Sequence, residues 1–391
     1  MSTVRTMIPI TKPVLGEREA EAARRAILSG WVTQGPEVAA FEREFAAVVG
    51  APQACAVSSC TTALHMALVA CGVAAGDEVV TVSHSFIATA NAIRYCGATP
   101  VFVDVDLDTF NMDASQLEAA IGPRTKAILA VHQLGMPCDL EAAMQVARLH
   151  HLPVIEDAAC AIGSEIRWNG TWERIGRPHG HIACFSFHPR KLLSTGDGGM
   201  LTTTDPDLDR RFRLLRHHGM SVPDTVRHQS SEVTFEEYPI VGFNYRLTDI
   251  QAAIGREQLE RLPSLVARRR QLAERYQSAF RARPAITVPV EPAWARSNWQ
   301  SYAIRVPRGR QRGVMQALLD EGIATRRGVM NAHREAAYPE GTWRVAPGQR
   351  LDRSEEAQDT AIMLPLFHDL QDVDQGRVID AVIRASARVI P

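Results

Sequence analysis

From residue 54 to residue 204, short apolar, β-prone runs alternate with stretches of helical period, and each run breaks off at small polar or charged residues. The runs lie at 54–57, 78–82, 99–103, 127–131, 153–155, 182–187 and 200–204, with helical stretches at 63–71, 85–96, 113–121, 140–150 and 207–217. Strand and helix in turn at this spacing predict a mainly parallel sheet covered by helices on both faces. The same pattern restricts where chemistry can sit, because such sheets hold their ligands beyond the carboxyl ends of the strands. At those ends stand Ser58 to Thr62, Phe86, His132 and Gln133, Glu156 and Asp157, and His188. Ser59-Cys60-Thr61-Thr62 falls between a strand and a helix, where free N–H groups at the positive helix end suit an anion. The same hydroxyls equally suit an ordinary N-cap. Asp104, Asp106 and Asp108 have the spacing of a calcium loop, but Val105, Leu107 and Phe110 stand where ligands and a glycine are needed, so no calcium site is expected.

The run at 182–187 continues into His188-Pro189-Arg190-Lys191 and then a Gly196-Asp197-Gly198-Gly199 turn. Proline cannot continue a ladder, so the strand ends at His188. Only three of the chain's 43 basic residues are lysines: Lys12, Lys126 and Lys191. A lysine amine can lose its proton and attack a carbonyl, which a guanidinium cannot. Lys191, at the end of a buried strand, is therefore a candidate Schiff-base lysine, and burial beside Arg190 predicts a lowered amine pKa. A lysine on a surface turn is the alternative that this stretch alone leaves open.

Past Thr204 the alternation stops. Residues 219–238 read as an irregular polar loop or lid, 241–255 open a helix, 265–280 form a long arginine-rich one, and 284–292 read as a linker or edge. A strand at 302–306, a helix at 313–321, a loop with Arg326, Arg327 and His333, and a closing helix at 374–386 predict a small α+β domain. The expected division is 1–260 for the large domain, with an extended N-terminal segment, and 261–391 for the small one. A net charge of −1 offers no footprint for nucleic acid or an anionic membrane. No stretch approaches the roughly 18 apolar residues of a membrane span. Seven cysteines without a C-x-x-C pair point to free thiols in a reducing cytoplasm, with neither a zinc site nor a disulfide framework.

The stretches SSCTTALHMAL, GDEVVTVSHSFIATANAI, PVFVDVDLDTFNMD, PRTKAILAVHQLGMPCDL, VIEDAACAIGSE, ACFSFHPRKLLSTGDGGML, GFNYRLTDIQAAIG and LPLFHDL carry a joint pattern. It resembles the DegT/DnrJ/EryC1/StrS aminotransferases, the sugar aminotransferases of fold type I, over almost the whole chain. The resemblance implies an α/β large domain with a mainly parallel seven-stranded sheet flanked by helices, and a smaller C-terminal α+β domain. It implies pyridoxal 5′-phosphate as cofactor and ping-pong transamination from an amino acid, most often L-glutamate, to a keto-sugar, expected to be a nucleotide-linked keto-deoxysugar. It also implies a homodimer with shared active sites. Residue by residue, Lys191 becomes the Schiff-base lysine and proton shuttle, Asp157 the partner of the pyridinium nitrogen, and Phe86 the ring-stacking face. Thr61, Cys60 and Ser186 bind the phosphate, and Asn244 reaches it from the other subunit.

Two positions depart from the family pattern. Cys60 stands where glycine or alanine is usual, and Cys160 where glutamine or histidine is usual near the cofactor's 3′-oxygen; a thiol is the weaker hydrogen-bond partner. His188, Arg326 and His333 are candidate substrate contacts, each also readable as a strand cap or a solvated loop residue. Sugar 3-dehydratases among the relatives carry histidine at the lysine position, and Lys191 argues against that activity. A non-catalytic sensor on the same fold is at odds with the Lys191–Asp157 pair. Cysteine desulfurases have histidine directly before the lysine, where this chain has Arg190. Free keto-sugars and cyclitols stay open as acceptors.

Overall fold

The computed structural model of the chain describes residues 7–222, 233 and 235–387. Two helices come first, α1 (Glu17–Leu28) and α2 (Pro36–Val49). Then follow β1 (Gln53–Val57), α3 (Cys60–Ala70), β2 (Glu78–Val82), α4 (Ala88–Tyr95), β3 (Thr99–Val103), α5 (Leu117–Ala120), β4 (Thr125–Val131) and α6 (Leu140–Leu149). After them run β5 (Val154–Asp157), β6 (Glu165–Trp168), β7 (Thr171–Arg174), β8 (Ile182–Ser186), β9 (Gly199–Thr203) and α7 (Pro206–Leu215). The C-terminal part contains α8 (Asp249–Phe280), β10 (Ala295–Arg296), β11 (Tyr302–Arg305), α9 (Gln311–Asp320), β12 (Arg326–Arg327), β13 (Arg344–Val345), α10 (Asp352–Thr360), β14 (Ala361–Leu364) and α11 (Asp372–Ala387).

The main sheet has the order β1-β9-β8-β5-β4-β2-β3-β13. β5 pairs in parallel with β4 and β8, β2 with β3 and β4, and β13 with β3, while β9 is antiparallel to both β1 and β8. The seven runs of the sequence are all there. An eighth, two-residue strand corrects the expected count: Arg344 and Val345 pair with Val101 and Phe102 at the sheet edge. Two residues carry no readable period; long-range contacts place them, with the Arg344 Nε–H donating to Glu78 Oε1 at 3.0 Å and Trp343 against Phe102.

The strands are apolar on both sides because both faces are covered. Val80, Ile128, Val154 and Ala183 pack on one side with Phe41, Phe45 and Leu140. Leu129, Ile155, Ile182 and Cys184 pack on the other with Leu64, Leu68 and Phe212. Each of the valine, isoleucine, leucine and phenylalanine side chains, fully buried, contributes about 1.5–3 kcal/mol. A separate cluster around Tyr276, Tyr302, Leu318, Leu364 and Val378 joins α8, α9 and α11 to the antiparallel sheet β11-β14-β12.

Other elements differ from expectation as well, among them β12, a strand at Arg326 and Arg327 in place of the expected loop. The helices expected at 241–255 and 265–280 form one helix of 32 residues that begins at Asp249, after the Thr248 cap, and runs through Pro263. Proline forfeits one backbone hydrogen bond there, while packing from Leu259 to Phe280 on both cores holds the helix on either side. Residue 260, the expected domain division, lies inside it. The helix expected at 113–121 shrinks to a 3-10 turn capped by Asp113 and the four residues of α5. Finally, β6 and β7 form an unforeseen hairpin around Asn169 (φ +48°) and Gly170 (φ +85°), a left-handed pair that suits a tight turn. The expected loop or lid at 219–238 lies largely outside the described residues. All seven cysteines are free, and no helix among the described residues is long and apolar enough to cross a membrane.

Candidate active site

The carboxyl ends of β5 and β8 meet the N-terminus of α3 at one backbone carbonyl. Cys184 O accepts the Ala158 N–H at 2.9 Å and lies 3.6 Å from Cys60 Sγ. Ser59 caps α3 by accepting the Thr62 N–H at 3.1 Å, and the Thr62 hydroxyl accepts the Ser59 N–H at 3.1 Å. This reciprocal cap leaves the N–H groups of Cys60 and Thr61, the first two of the helix, without helical partners. Gly199, the first residue of β9, closes tightly on it: a Cβ there would lie 2.5 Å from the Ser59 carbonyl and 2.7 Å from Cys60 N.

Asp157 ends β5 and is buried. Its Oδ2 accepts the Thr89 hydroxyl at 2.7 Å and its Oδ1 the Ala159 N–H at 3.2 Å. Thr89 in turn lies 2.7 Å from Ser85 Oγ. Phe86, 56% exposed, lies three residues before Thr89, just ahead of α4. The neighbouring Glu156, fully buried, accepts the N–H groups of His179 and Gly180 at 2.9 and 2.8 Å and faces His132 Nε2 at 3.1 Å. Because His132 Nδ1 accepts the Cys138 N–H at 2.9 Å, the ring proton belongs on Nε2 and points at Glu156. Burial works to raise the Glu156 pKa, but His132 and the other donors outweigh it and hold it below the usual carboxylate value.

Lys191 follows β8 on a turn closed by its own N–H to His188 O at 2.8 Å. Its amine donates to Cys160 Sγ at 3.0 Å. The expected lowering of its pKa is corrected here: burial does pull it down, but Cys160, then Cys60 and Asp157, raise it above the ordinary lysine value. Arg190 is exposed and is not the governing neighbour. Ser186, at the end of β8, and His188 are half-buried, and His188 Nδ1 accepts the Arg190 N–H at 3.2 Å.

The remaining candidates lie outside this cluster. His333 Nδ1 is 2.7 Å from Ser83 Oγ, beyond the end of β2, and its Nε2 is 3.2 Å from Glu355; burial lowers its pKa. Arg326 is exposed on β12. Asn244 is exposed on a segment tied to the end of α7, with the Phe243 N–H on Leu215 O at 2.6 Å and the Tyr245 N–H on Arg216 O at 3.0 Å. Among the described residues no hydrogen bond joins Arg326 or Asn244 to Lys191 or Asp157, and no group of three or more His, Cys, Asp or Glu can hold a metal ion. Thr89, in the first turn of α4, and Ser85 escaped the sequence reading.

A half-buried amine and a buried carboxylate beside the open N-terminus of α3 fit pyridoxal phosphate: amine for aldehyde, carboxylate for ring nitrogen, helix end for phosphate. The fold and this donor set define a fold type I pyridoxal-phosphate enzyme. Residues 13–383 match the DegT/DnrJ/EryC1/StrS aminotransferase family. The chain belongs to that family and is a pyridoxal-phosphate-dependent sugar aminotransferase. It is 38% identical over 387 residues to the spore coat polysaccharide biosynthesis protein SpsC of Bacillus subtilis (strain 168), covering 96% of each chain. Among solved structures it resembles the aminotransferase TlmJ of Streptoalloteichus hindustanus, with a TM-score of 0.89, 35% identity, and 98% of this chain and 100% of that one covered. DesV of S. venezuelae, solved with a ketimine intermediate, has a TM-score of 0.87, 34% identity and the same coverage.

Proposed function

We propose that the protein moves the amino group of an amino acid, L-glutamate first among donors, to the ketone of a nucleotide-linked deoxysugar, in two half-reactions at one site. The observation that carries this reading is the meeting of Lys191, Cys160 and Asp157 beside the N-terminus of α3. Membership of the family supports a sugar acceptor, and the polysaccharide pathway in the name of the B. subtilis relative supports an amino sugar as product.

Bound pyridoxal phosphate supplies a carbonyl that takes up the amino group and a ring that draws electrons from the bond being broken. Cys60, Thr61 and Ser186 are the residues for its phosphate, Phe86 for its ring face and Cys160 for its 3′-oxygen. Asp157, steadied by Thr89 and the Ala159 N–H, has lone pairs left for the ring nitrogen. Lys191 takes the proton from the donor's Cα at Nζ and delivers it to the next atom in the transfer. His188, next to the lysine turn, and Arg326 are assigned to the substrate. His333, already bound to Ser83 and Glu355, acts by bracing the end of β2.

Half-reactions test the proposal. The loaded enzyme is yellow; L-glutamate bleaches the visible band and releases a keto acid in equal amount, and a nucleotide-linked keto-deoxysugar restores the band. If no amino acid bleaches it, the transamination reading is overturned. If a free keto-sugar or cyclitol restores it as fast, the acceptor is reassigned.

We further propose a homodimer in which Asn244 of one subunit reaches the phosphate held by the other. Its exposure on the segment beside α7 supports this. Asn244→Ala and Lys191→Ala proteins, each inactive, are then expected to regain activity on mixing, up to about a quarter of wild-type sites, since random pairing completes one site in each hybrid dimer. No recovery means that the sites are not shared.

A further inference from the structure

The amine and thiol that meet at 3.0 Å ride on two different loops, Cys160 after β5 and Lys191 after β8. A third segment grips both. Gln300 Nε2 donates to the Arg190 carbonyl at 2.7 Å, and Gln300 Oε1 accepts the Leu192 N–H at 2.8 Å. One amide thus brackets Lys191 along the backbone. Asn298 Nδ2 donates to the carbonyls of Cys160 and Ile162, both at 2.8 Å, and Asn298 Oδ1 accepts the Gln300 N–H at 2.8 Å. Asn298 and Gln300 are both buried.

The segment is itself held under strain. Trp299 has φ +52°, a left-handed conformation that is costly for a bulky residue. Arg269 of α8 secures it, its Nη1 donating to the carbonyls of Trp299, Gln300 and Leu366 at 3.2, 2.9 and 3.1 Å. Gly135 makes room for it: a Cβ there would lie 2.1 Å from Asn298 Oδ1. Such over-determined strain belongs to segments whose position matters.

We infer that Asn298 and Gln300 are positioning residues for the Lys191 amine, setting its contact with Cys160 by clamping the two backbones that carry amine and thiol. The inference rests on the reading of Lys191 as the cofactor lysine. Neither residue touches the reacting atoms. The clamp needs one side chain that donates to a carbonyl and accepts from an N–H two residues on. Glutamine does both, neutral histidine can, and leucine can do neither.

The test uses the pyridoxal-phosphate-loaded enzyme, whose visible band titrates with the Lys191 nitrogen. Gln300→Leu is expected to move the pH midpoint of that band by about one unit. It should also lower kcat at least about ten-fold, with KM for the donor changed less than about three-fold. Gln300→His should keep midpoint and kcat within about two-fold. Gln375→Leu is the structural control: Gln375 is buried and donates to Leu272 O at 2.7 Å where α11 meets α8. It should lower Tm but leave the midpoint in place. Should Gln300→Leu not fold, Gln300→Glu must show the shift, since it keeps the acceptor for Leu192 and loses the donor to Arg190. A wild-type midpoint and kcat in Gln300→Leu, or in Gln300→Glu where the leucine variant does not fold, overturn the inference, as does an equal shift in Gln375→Leu. A band unchanged in Lys191→Ala overturns the reading of the lysine itself.

Discussion

Lys191→Ala leaves the protein folded and able to take up pyridoxal phosphate, and lowers kcat on the order of a thousand-fold or more. The substitution removes the amine but none of the residues proposed for the phosphate and ring. The fold around it has little to lose, because the backbone of the turn is held by Gln300 and by the Lys191 N–H to His188 O, not by the side chain. Lys191→Arg sharpens the test. It keeps a cation near Cys160 and Asp157, so a purely electrostatic role would survive it. A guanidinium can neither attack a carbonyl nor move a proton near neutral pH, so this variant is expected to be as inactive as the alanine one. Steady-state rates and the visible spectrum decide it; Lys191→Arg within ten-fold of wild type would remove the lysine from the chemistry.

The lysine was legible because it breaks a local habit: a chain that spends nearly all its positive charge on arginine keeps a lysine at a strand end. Asp157 was legible for a related reason, since the parallel alternation fixes which ends of the strands face the ligand. What holds these two groups in place was not legible. Thr89 is 68 residues from Asp157, and Gln300 is 108 residues from Leu192. No periodicity links such partners; only the assembled sheet and the return of the chain through α8 bring them together. The same distance effect hid β13, whose two residues become a strand only by lying against β3. It also reversed the expected pKa of Lys191, because the neighbour in sequence, Arg190, points to solvent while the neighbours in space are Cys160, Cys60 and Asp157.

Local signals failed in a different way. Pro263 reads as a break, yet α8 passes through it, because tertiary packing on two cores outweighs one lost hydrogen bond. Trp168-Asn169-Gly170-Thr171 holds the strongest short-range hairpin signal in the chain, and there the information was present. At Ser59 to Thr62 the cap is what forms: it engages the Ser59 and Thr62 hydroxyls, while the Cys60 and Thr61 N–H groups stay outside the helical ladder.

Asp157→Asn is the second large effect expected, a loss of about a hundred- to ten-thousand-fold in kcat with little change in Tm. The stability argument comes from the hydrogen-bond chain. The substituted side chain can keep its carbonyl oxygen on the Ala159 N–H and turn its NH₂ towards Thr89. The Thr89 hydroxyl then accepts from the new amide and donates to Ser85 Oγ, 2.7 Å away, so no buried group is left unpaired. The functional argument is that the amide cannot supply the negative charge a protonated ring nitrogen needs, so the ring loses its power to draw electrons from the breaking bond. Thr89→Val separates charge from placement. It keeps the carboxylate and the side-chain volume but removes the hydroxyl on Oδ2, and a loss of only about ten-fold is expected. The two variants, compared by kcat, cofactor Kd and Tm, must differ in this order. Asp157→Asn at wild-type rate would take the carboxylate out of the mechanism, and Thr89→Val as damaging as Asp157→Asn would mean that the position of the charge matters as much as its presence.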